Sequence, residues 1–243
     1  MTLQDCFARI INLDDRTDKW NAVKHLNVER FSAVKVNDQD ALQHLCLRAQ
    51  AELASGRRVS EGIPSGGAVG CSLSHIAVWK EFLASKKSFC LVLEDDINCS
   101  LSDLETAVAE LLKESFEIGL LGWTTPLRRP LTLHPTDASL VVPWPRGQCF
   151  YGSHAYILTR DACTRLLLES TPIQLQIDFY LQAQAWRWKM RIRKGNYQFR
   201  QLKTFSSDVM SISNFCFNCE PWWDKAVLSV AALAFVLVLL QIK

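Results

Sequence analysis

The sequence predicts an α/β protein: an open, mainly parallel sheet flanked by helices, followed by an apolar C-terminal helix. Three observations carry this reading. Short β-rich apolar runs alternate with segments of helical spacing, the pattern of a sheet with helices packed on it. The most apolar of those runs, "FCLVL" at 89–93, leads straight into three carboxylates, Glu94, Asp95 and Asp96. The stretch 226–242, "AVLSVAALAFVLVLLQI", carries no charge.

The elements follow in order. "CFARIINL" (6–13) is rich in β-branched residues and reads as a buried opening strand, broken at Asp14-Asp15-Arg16. A helical stretch with Trp20, Val23 and Leu26 comes next. The polar region from about 37 to 60 has helical spacing at Leu42, Leu45 and Leu53. It ends in "EGIPSGGAVG", whose glycines predict a flexible loop. "SLSHIAVWKEFLAS" (72–85) is an amphipathic helix, and the strand "FCLVLEDD" follows. Ser102 with Glu105 three places later forms a capping-box pattern, so a helix is expected from there, striped by Leu104, Val108, Leu111 and Leu112. "EIGLLGW" (117–123) is a further strand, and 124–147 reads as an irregular Pro-rich loop. "CFYGSHAYILT" (149–159) is strand-like, "RDACTRLLLES" and "PIQLQIDFYLQAQAW" are helical, and "KMRIRK" closes as a basic strand.

Bulk properties narrow the function. Across 243 residues, 27 basic and 25 acidic side chains leave a formal charge of +2, which argues against a nucleic-acid binder. The basic runs at Arg57-Arg58, Lys86-Lys87 and Arg187 to Lys194 read as solvated faces. Nine cysteines, an odd number scattered mostly through apolar runs, suit reduced thiols better than a disulfide framework. "CFNC" at 216–219 offers two metal ligands where a structural zinc needs four, so ordinary thiols are expected there. The N-terminal residues do not form a secretory signal. The stretch 226–242 lies between Lys225 and Lys243 and follows Trp222-Trp223, as interfacial aromatics would. Its length is at the short end of the roughly 17 to 25 residues that span a bilayer. It is expected to be a transmembrane tail anchor, against the alternative of a buried core helix.

The acidic triplet raises the central question, because adjacent like charges make one another costly to ionise. A solvated turn, a helix cap and a metal site are the three answers. The capping role falls to Ser102 in this reading. In an open α/β sheet, ligands bind beyond the carboxyl ends of strands, where Glu94 to Asp96 sit. Magnesium and manganese take oxygen ligands, often one or two carboxylates with substrate phosphates. A divalent cation would relieve the repulsion and is the reading preferred here.

Taken together, "INLDDRTDKW", "GAVGCSLSHIAVWKEF", "LVLEDD" and "GSHAYILTRDACTRLL" resemble glycosyltransferase family 25, which includes bacterial lipooligosaccharide galactosyltransferases and procollagen galactosyltransferases. The four blocks occur in order over about residues 7–182. The resemblance implies a GT-A-type fold over 1–220; the expected membrane tail at 221–243 departs from the family's pattern. It also implies inverting, metal-dependent transfer of a hexose, galactose first, from a UDP-sugar to a glycan, glycolipid or protein hydroxyl.

On that resemblance, Asn12, Leu13, Asp14 and Arg16 form the donor-side loop, with Gly70, Ser74 and His75 as further donor contacts. Glu94, Asp95 and Asp96 hold Mn2+ or Mg2+ against the diphosphate. Glu94 and Asp178 are the catalytic carboxylates. A metal acts as a Lewis acid on the leaving diphosphate, and a carboxylate takes the acceptor proton. Asp178, amid apolar neighbours after Pro172, is the candidate base; its alternative is a helix-surface acid or cap. His75 is either a phosphate or sugar contact or a packed structural ring, Ser74 a donor contact or a backbone cap. Arg16 reads as a diphosphate or uracil contact or as a surface ion pair, and Cys71 as a packing residue. A tail inserted after synthesis would leave the catalytic domain on the cytoplasmic side of the membrane. The rival readings are a membrane-anchored binding protein of the same fold without turnover and a two-metal phosphoryl-transfer enzyme. The latter needs further acids or histidines that the blocks do not supply.

Overall fold

A computed structural model describes residues 1–55, 62–124, 133–142 and 150–202. The chain opens with β1 (Cys6–Asn12), α1 (Thr17–Val23) and β2 (Arg30–Ser32), then α2 (Asp38–Ala41), α3 (Leu47–Ser55) and the long α4 (Gly66–Ala84). β3 (Phe89–Glu94), β4 (Ile97–Asn98), α5 (Leu101–Leu111), β5 (Ile118–Thr124), β6 (Leu133–His134) and β7 (Asp137–Val141) follow. β8 (Tyr151–Thr159), α6 (Arg160–Leu168), α7 (Ile177–Arg187) and β9 (Ile192–Gln201) complete it. The strands lie in the order β2-β1-β3-β8-β5-β9-β7-β6, with β4 paired to β9.

The sheet is mixed rather than mainly parallel. Among the described residues β1 pairs parallel with β2 and β3, and β5 with β9. The pairings of β8 with β3 and β5 are antiparallel, as are those of β7 with β6 and β9 and of β4 with β9. The reason is β8, which enters the middle of the sheet against the direction of both neighbours. Residues 133–141, expected as irregular loop, form the hairpin β6–β7. The apolar stretch 226–242 and the pair Cys216 and Cys219 lie outside the described residues. Among the described residues no helix is long and apolar enough to cross a membrane. The six cysteines described are all free thiols.

Alternate residues of β3 explain its unbroken apolar run. Cys90 and Val92 join one core with Trp79, Phe82, Tyr156 and Leu181, from the α4, β8 and α7 side. Leu91 and Leu93 join the other with Val23, Leu104, Val108 and Leu111, from the α1 and α5 side. A strand covered on both faces has no polar side to show.

Two helix starts differ from the sequence reading. α5 is capped by Ser100, whose Oγ accepts the Asp103 N–H at 3.1 Å, and Ser102 sits inside the first turn. The cap is therefore still not drawn from Asp95 or Asp96. The glycine-rich segment is the first turn of α4, capped by the Ser65 side chain on the Ala68 N–H. Its glycines serve close approach. A Cβ on Gly66 would lie 2.4 Å from the Asn37 carbonyl carbon, and one on Gly70 2.4 Å from the Val34 oxygen.

Candidate functional site

A cavity of about 400 Å³ opens beyond the carboxyl ends of β1, β2 and β3. Leu13, Asp15, Arg16 and Lys19 line it after β1, Ala33 to Val36 after β2, and Glu94 to Asp96 after β3. Gly67, Cys71, Ser74 and His75 of α4 form another wall, and Gln201 contributes from the end of β9. The 33–36 wall is pinned to α4 by Ser74. Its buried hydroxyl donates to the Gly70 carbonyl at 2.7 Å and accepts the Val34 N–H at 2.8 Å. Ser74 and Gly70 thus shape the cavity through backbone contacts.

The acidic triplet divides among three sets of partners. Glu94 Oε1 accepts the Ser153 hydroxyl at 2.8 Å and lies 3.6 Å from His75 Nε2. Asp95 Oδ1 pairs with Lys19 Nζ at 3.2 Å, and its Oδ2 accepts the Asn12 amide at 2.8 Å. Asp96 faces the Gln201 amide at 3.3 and 3.4 Å. Burial, then the charge of Glu94, pushes the Asp96 carboxyl up to about 7. Burial also pushes Asp95 up against the pull of Asn12 and Lys19. For Glu94 burial acts upward, yet the neighbouring His75 and His154 rings and the Ser153 hydroxyl outweigh it and hold the acid below its ordinary range. Glu94 and Asp96 line the cavity with carboxylates that fit a hard divalent cation, whereas the charge of Asp95 is met by Lys19.

His75 is fully buried. Its Nδ1 lies 2.7 Å from the Tyr156 hydroxyl, which also accepts the Trp79 indole N–H at 3.0 Å. The buried Nε2 has no hydrogen-bond partner. His154 is buried as well, its Nε2 donating to the Phe199 carbonyl at 3.0 Å.

The donor-side loop is built as a hub. Asn12 donates to the Arg16 carbonyl at 3.1 Å and to Asp95, and its Oδ1 accepts Arg30 Nε at 2.8 Å. Leu13 lines the cavity and its carbonyl accepts an Arg30 N–H at 3.2 Å. Asp14 is exposed, accepts the Ser32 hydroxyl at 2.6 Å and pairs with Arg30 at 3.2 Å. Arg16 lines the cavity while its guanidinium grips Asp18 through two 3.0 Å bonds. Asp178 is not among the lining residues. Its Oδ2 accepts the Gly152 N–H at 3.0 Å and its Oδ1 the Phe179 N–H at 2.8 Å, tying α7 to β8. Burial pushes its carboxyl up, with the Glu94 charge adding to it against those two bonds.

Sequence reasoning missed Lys19, Gln201 and Ser153. Lys19 stands inside the quoted block "INLDDRTDKW", but its partner Asp95 is distant along the chain. Ser153 likewise stands inside "GSHAYILTRDACTRLL", but its partner Glu94 is distant along the chain, and Gln201 had no local signal, since only the pairing of β9 brings it here.

Fold and site together define an α/β protein with a mixed sheet flanked by helices and an acid-lined cavity at the ends of its parallel strands. In sequence it resembles glycosyltransferase family 25 (LPS biosynthesis protein), whose family model matches residues 8–125. Procollagen galactosyltransferase 2 of Homo sapiens is 25% identical over 228 residues, covering 87% of this chain and 35% of that protein. The Mus musculus protein of the same name is 24% identical with the same coverage. The Rattus norvegicus protein "Probable inactive glycosyltransferase 25 family member 3" is 26% identical, over 89% of this chain and 35% of its own. The chain thus spans about a third of the length of these relatives. Among solved structures, the inositol-1-phosphate CTP transferase from T. maritima aligns at TM-score 0.42 and 11% identity, covering 86% of this chain and 73% of that one.

Proposed function

We propose that the chain is a glycosyltransferase that moves a hexose, with galactose the first choice, from a UDP-sugar to a glycan, glycolipid or protein hydroxyl, with inversion. One observation carries the reading: three of the blocks that resemble family 25 converge on one cavity. They are the loop after β1, the face of α4 from Gly67 to His75, and the acids ending β3. The relatives named as galactosyltransferases support the choice of sugar.

In this reading Glu94 and Asp96 hold Mn2+ or Mg2+ where the donor diphosphate enters. The cation supplies Lewis-acid stabilisation of the leaving phosphate charge. Lys19 keeps Asp95 neutralised, so that the third carboxylate does not compete for the ion. Arg16 and Lys35, paired with Asp18 and Asp15, stand on the cavity rim as candidate donors to the nucleotide. Asp178 takes the acceptor proton. Its burial and the neighbouring Glu94 charge raise its basicity, and each of its oxygens keeps a second lone pair beyond the backbone bond it accepts. The stretch 226–242 anchors the chain in a membrane, with the catalytic domain on the cytoplasmic face. Protease protection of the tagged domain in sealed vesicles tests that placement, and a protected domain would refute it.

A second reading is a binding protein that has lost turnover, favoured by relatives named as inactive. Manganese-dependent hydrolysis and transfer assays across nucleotide sugars decide between the two. Turnover that Asp96→Ala abolishes supports the enzyme. Donor binding without turnover in any metal supports the binding protein.

A further inference from the structure

We propose that Cys71, His75 and Glu94 form a site for one borderline-soft divalent cation of the zinc type, on the α4 side of the cavity. Their ligand atoms all lie within 4.8 Å of one another. Cys71 and His75 are four residues apart on α4 and share a face of that helix, while Glu94 arrives from the end of β3. The three residues line the same cavity.

The second, independent observation is His75 Nε2. It is fully buried and makes no hydrogen bond, an arrangement that costs stability unless something meets the polar atom. It faces Glu94 Oε1 at 3.6 Å, too far for a hydrogen bond. Two ligands of one tetrahedral zinc stand about 3.3 Å apart when each metal bond is roughly 2.0 Å, so this separation is close to that of a ligand pair.

The surroundings match a metal ligand's supporting shell. A histidine that binds through Nε2 carries its proton on Nδ1, and Nδ1 here meets the Tyr156 hydroxyl at 2.7 Å. That hydroxyl is itself held by Trp79, and Glu94 is oriented by Ser153. Burial, and then the charges of Glu94, Asp178, Asp96 and Asp95, push the Cys71 thiol up, so it ligates only as a cation displaces its proton. Thiolate with imidazole and carboxylate selects zinc or cobalt over magnesium or manganese. Three protein ligands leave a fourth position, open to the cavity for an oxygen. The ion proposed for the diphosphate would instead draw on Asp96 together with Glu94.

The test uses the purified full chain and Co2+, whose bond to thiolate gives a near-ultraviolet charge-transfer band. To remove the "CFNC" pair from the readout, Cys216→Ser/Cys219→Ser is the background. One Co2+ per chain with that band, displaced by Zn2+, is expected. The band should vanish in Cys71→Ser, and Glu94→Gln should weaken Co2+ affinity at least tenfold. A parent without the band, or a band that survives Cys71→Ser, overturns the proposal. The measurement involves no sugar transfer, so loss of Mn2+-dependent transfer in Asp96→Ala with the Co2+ band intact separates this site from the transferase reading.

Discussion

Lys19 and Asp95, both in the cavity lining, meet at 3.2 Å, with only 6% and 11% of their side chains exposed. The pair joins α1 to the end of β3, and Asn12 completes it from β1. Removing one member of a buried ion pair leaves an uncompensated charge, at about 3–5 kcal/mol. Lys19→Met should therefore lower unfolding stability by about 3 kcal/mol at neutral pH, and Lys19→Met/Asp95→Asn should recover most of the loss. Urea unfolding of the three proteins checks this. Equal stability of Lys19→Met and the parent would show that Lys19 does not compensate Asp95.

Asp96 predicts a pH dependence of opposite sign to that of a salt-bridged acid. Its carboxyl is pushed from 3.8 to about 7 in the folded chain by burial and then by Glu94. Between those values the folded state holds a proton that the unfolded chain has released, so stability falls as pH rises from about 4 to about 7 and then levels off. Asp96→Asn removes the penalty. With chelator present, the variant should be more stable than the parent at pH 8 by on the order of 1–2 kcal/mol, after allowance for partial solvent screening. The difference should vanish near pH 4. Thermal melts across that range test it, and a gain that is largest at pH 4 would contradict the assignment.

Gly70 is a steric prediction. A Cβ there would sit 2.4 Å from the Val34 carbonyl oxygen, a backbone atom that the Ser74–Val34 bond holds in place. Gly70→Ala must push the 33–36 wall away from α4, at about 1–3 kcal/mol for overpacking. The same shift deforms the cavity, so donor binding by calorimetry should weaken along with the melting temperature. An Ala variant as stable as the parent would mean that the wall moves freely.

How much of this was legible beforehand follows from the range of each interaction. β1 and β3 could be read because burial on both faces leaves apolar stretches such as Ile10-Ile11 and "CLVL" (90–93) in sequence. The triplet at the end of β3 was visible for the same reason, and it does line the cavity. The direction of β8 was not legible, because a doubly covered strand has the same composition in either direction. Nor was the start of α4, since glycines that yield to the backbone at Val34 and Asn37 look locally like a loop. The division of the triplet depends on Lys19, His75, Ser153 and Gln201, which only the folded sheet brings together.

Asp178 separates structure from chemistry most sharply. Its carboxylate accepts two backbone N–H groups, so an isosteric amide keeps one acceptor and turns the other position into a donor facing an N–H. Asp178→Asn should accordingly lose about 1–3 kcal/mol of stability, the cost of a spoiled buried hydrogen bond. If Asp178 also takes the acceptor proton, transfer should fall by about 10²–10⁴ while donor binding holds near the parental affinity. Asp178→Glu serves as the control for chemistry: it restores a carboxylate but displaces it, so partial recovery of turnover with poor stability is expected. Folding stability, donor affinity and single-turnover transfer, measured at one temperature on the three proteins, resolve the two roles. A stability loss with transfer at parental rates would leave Asp178 as the tie between α7 and β8 and move the proton acceptor to another carboxylate.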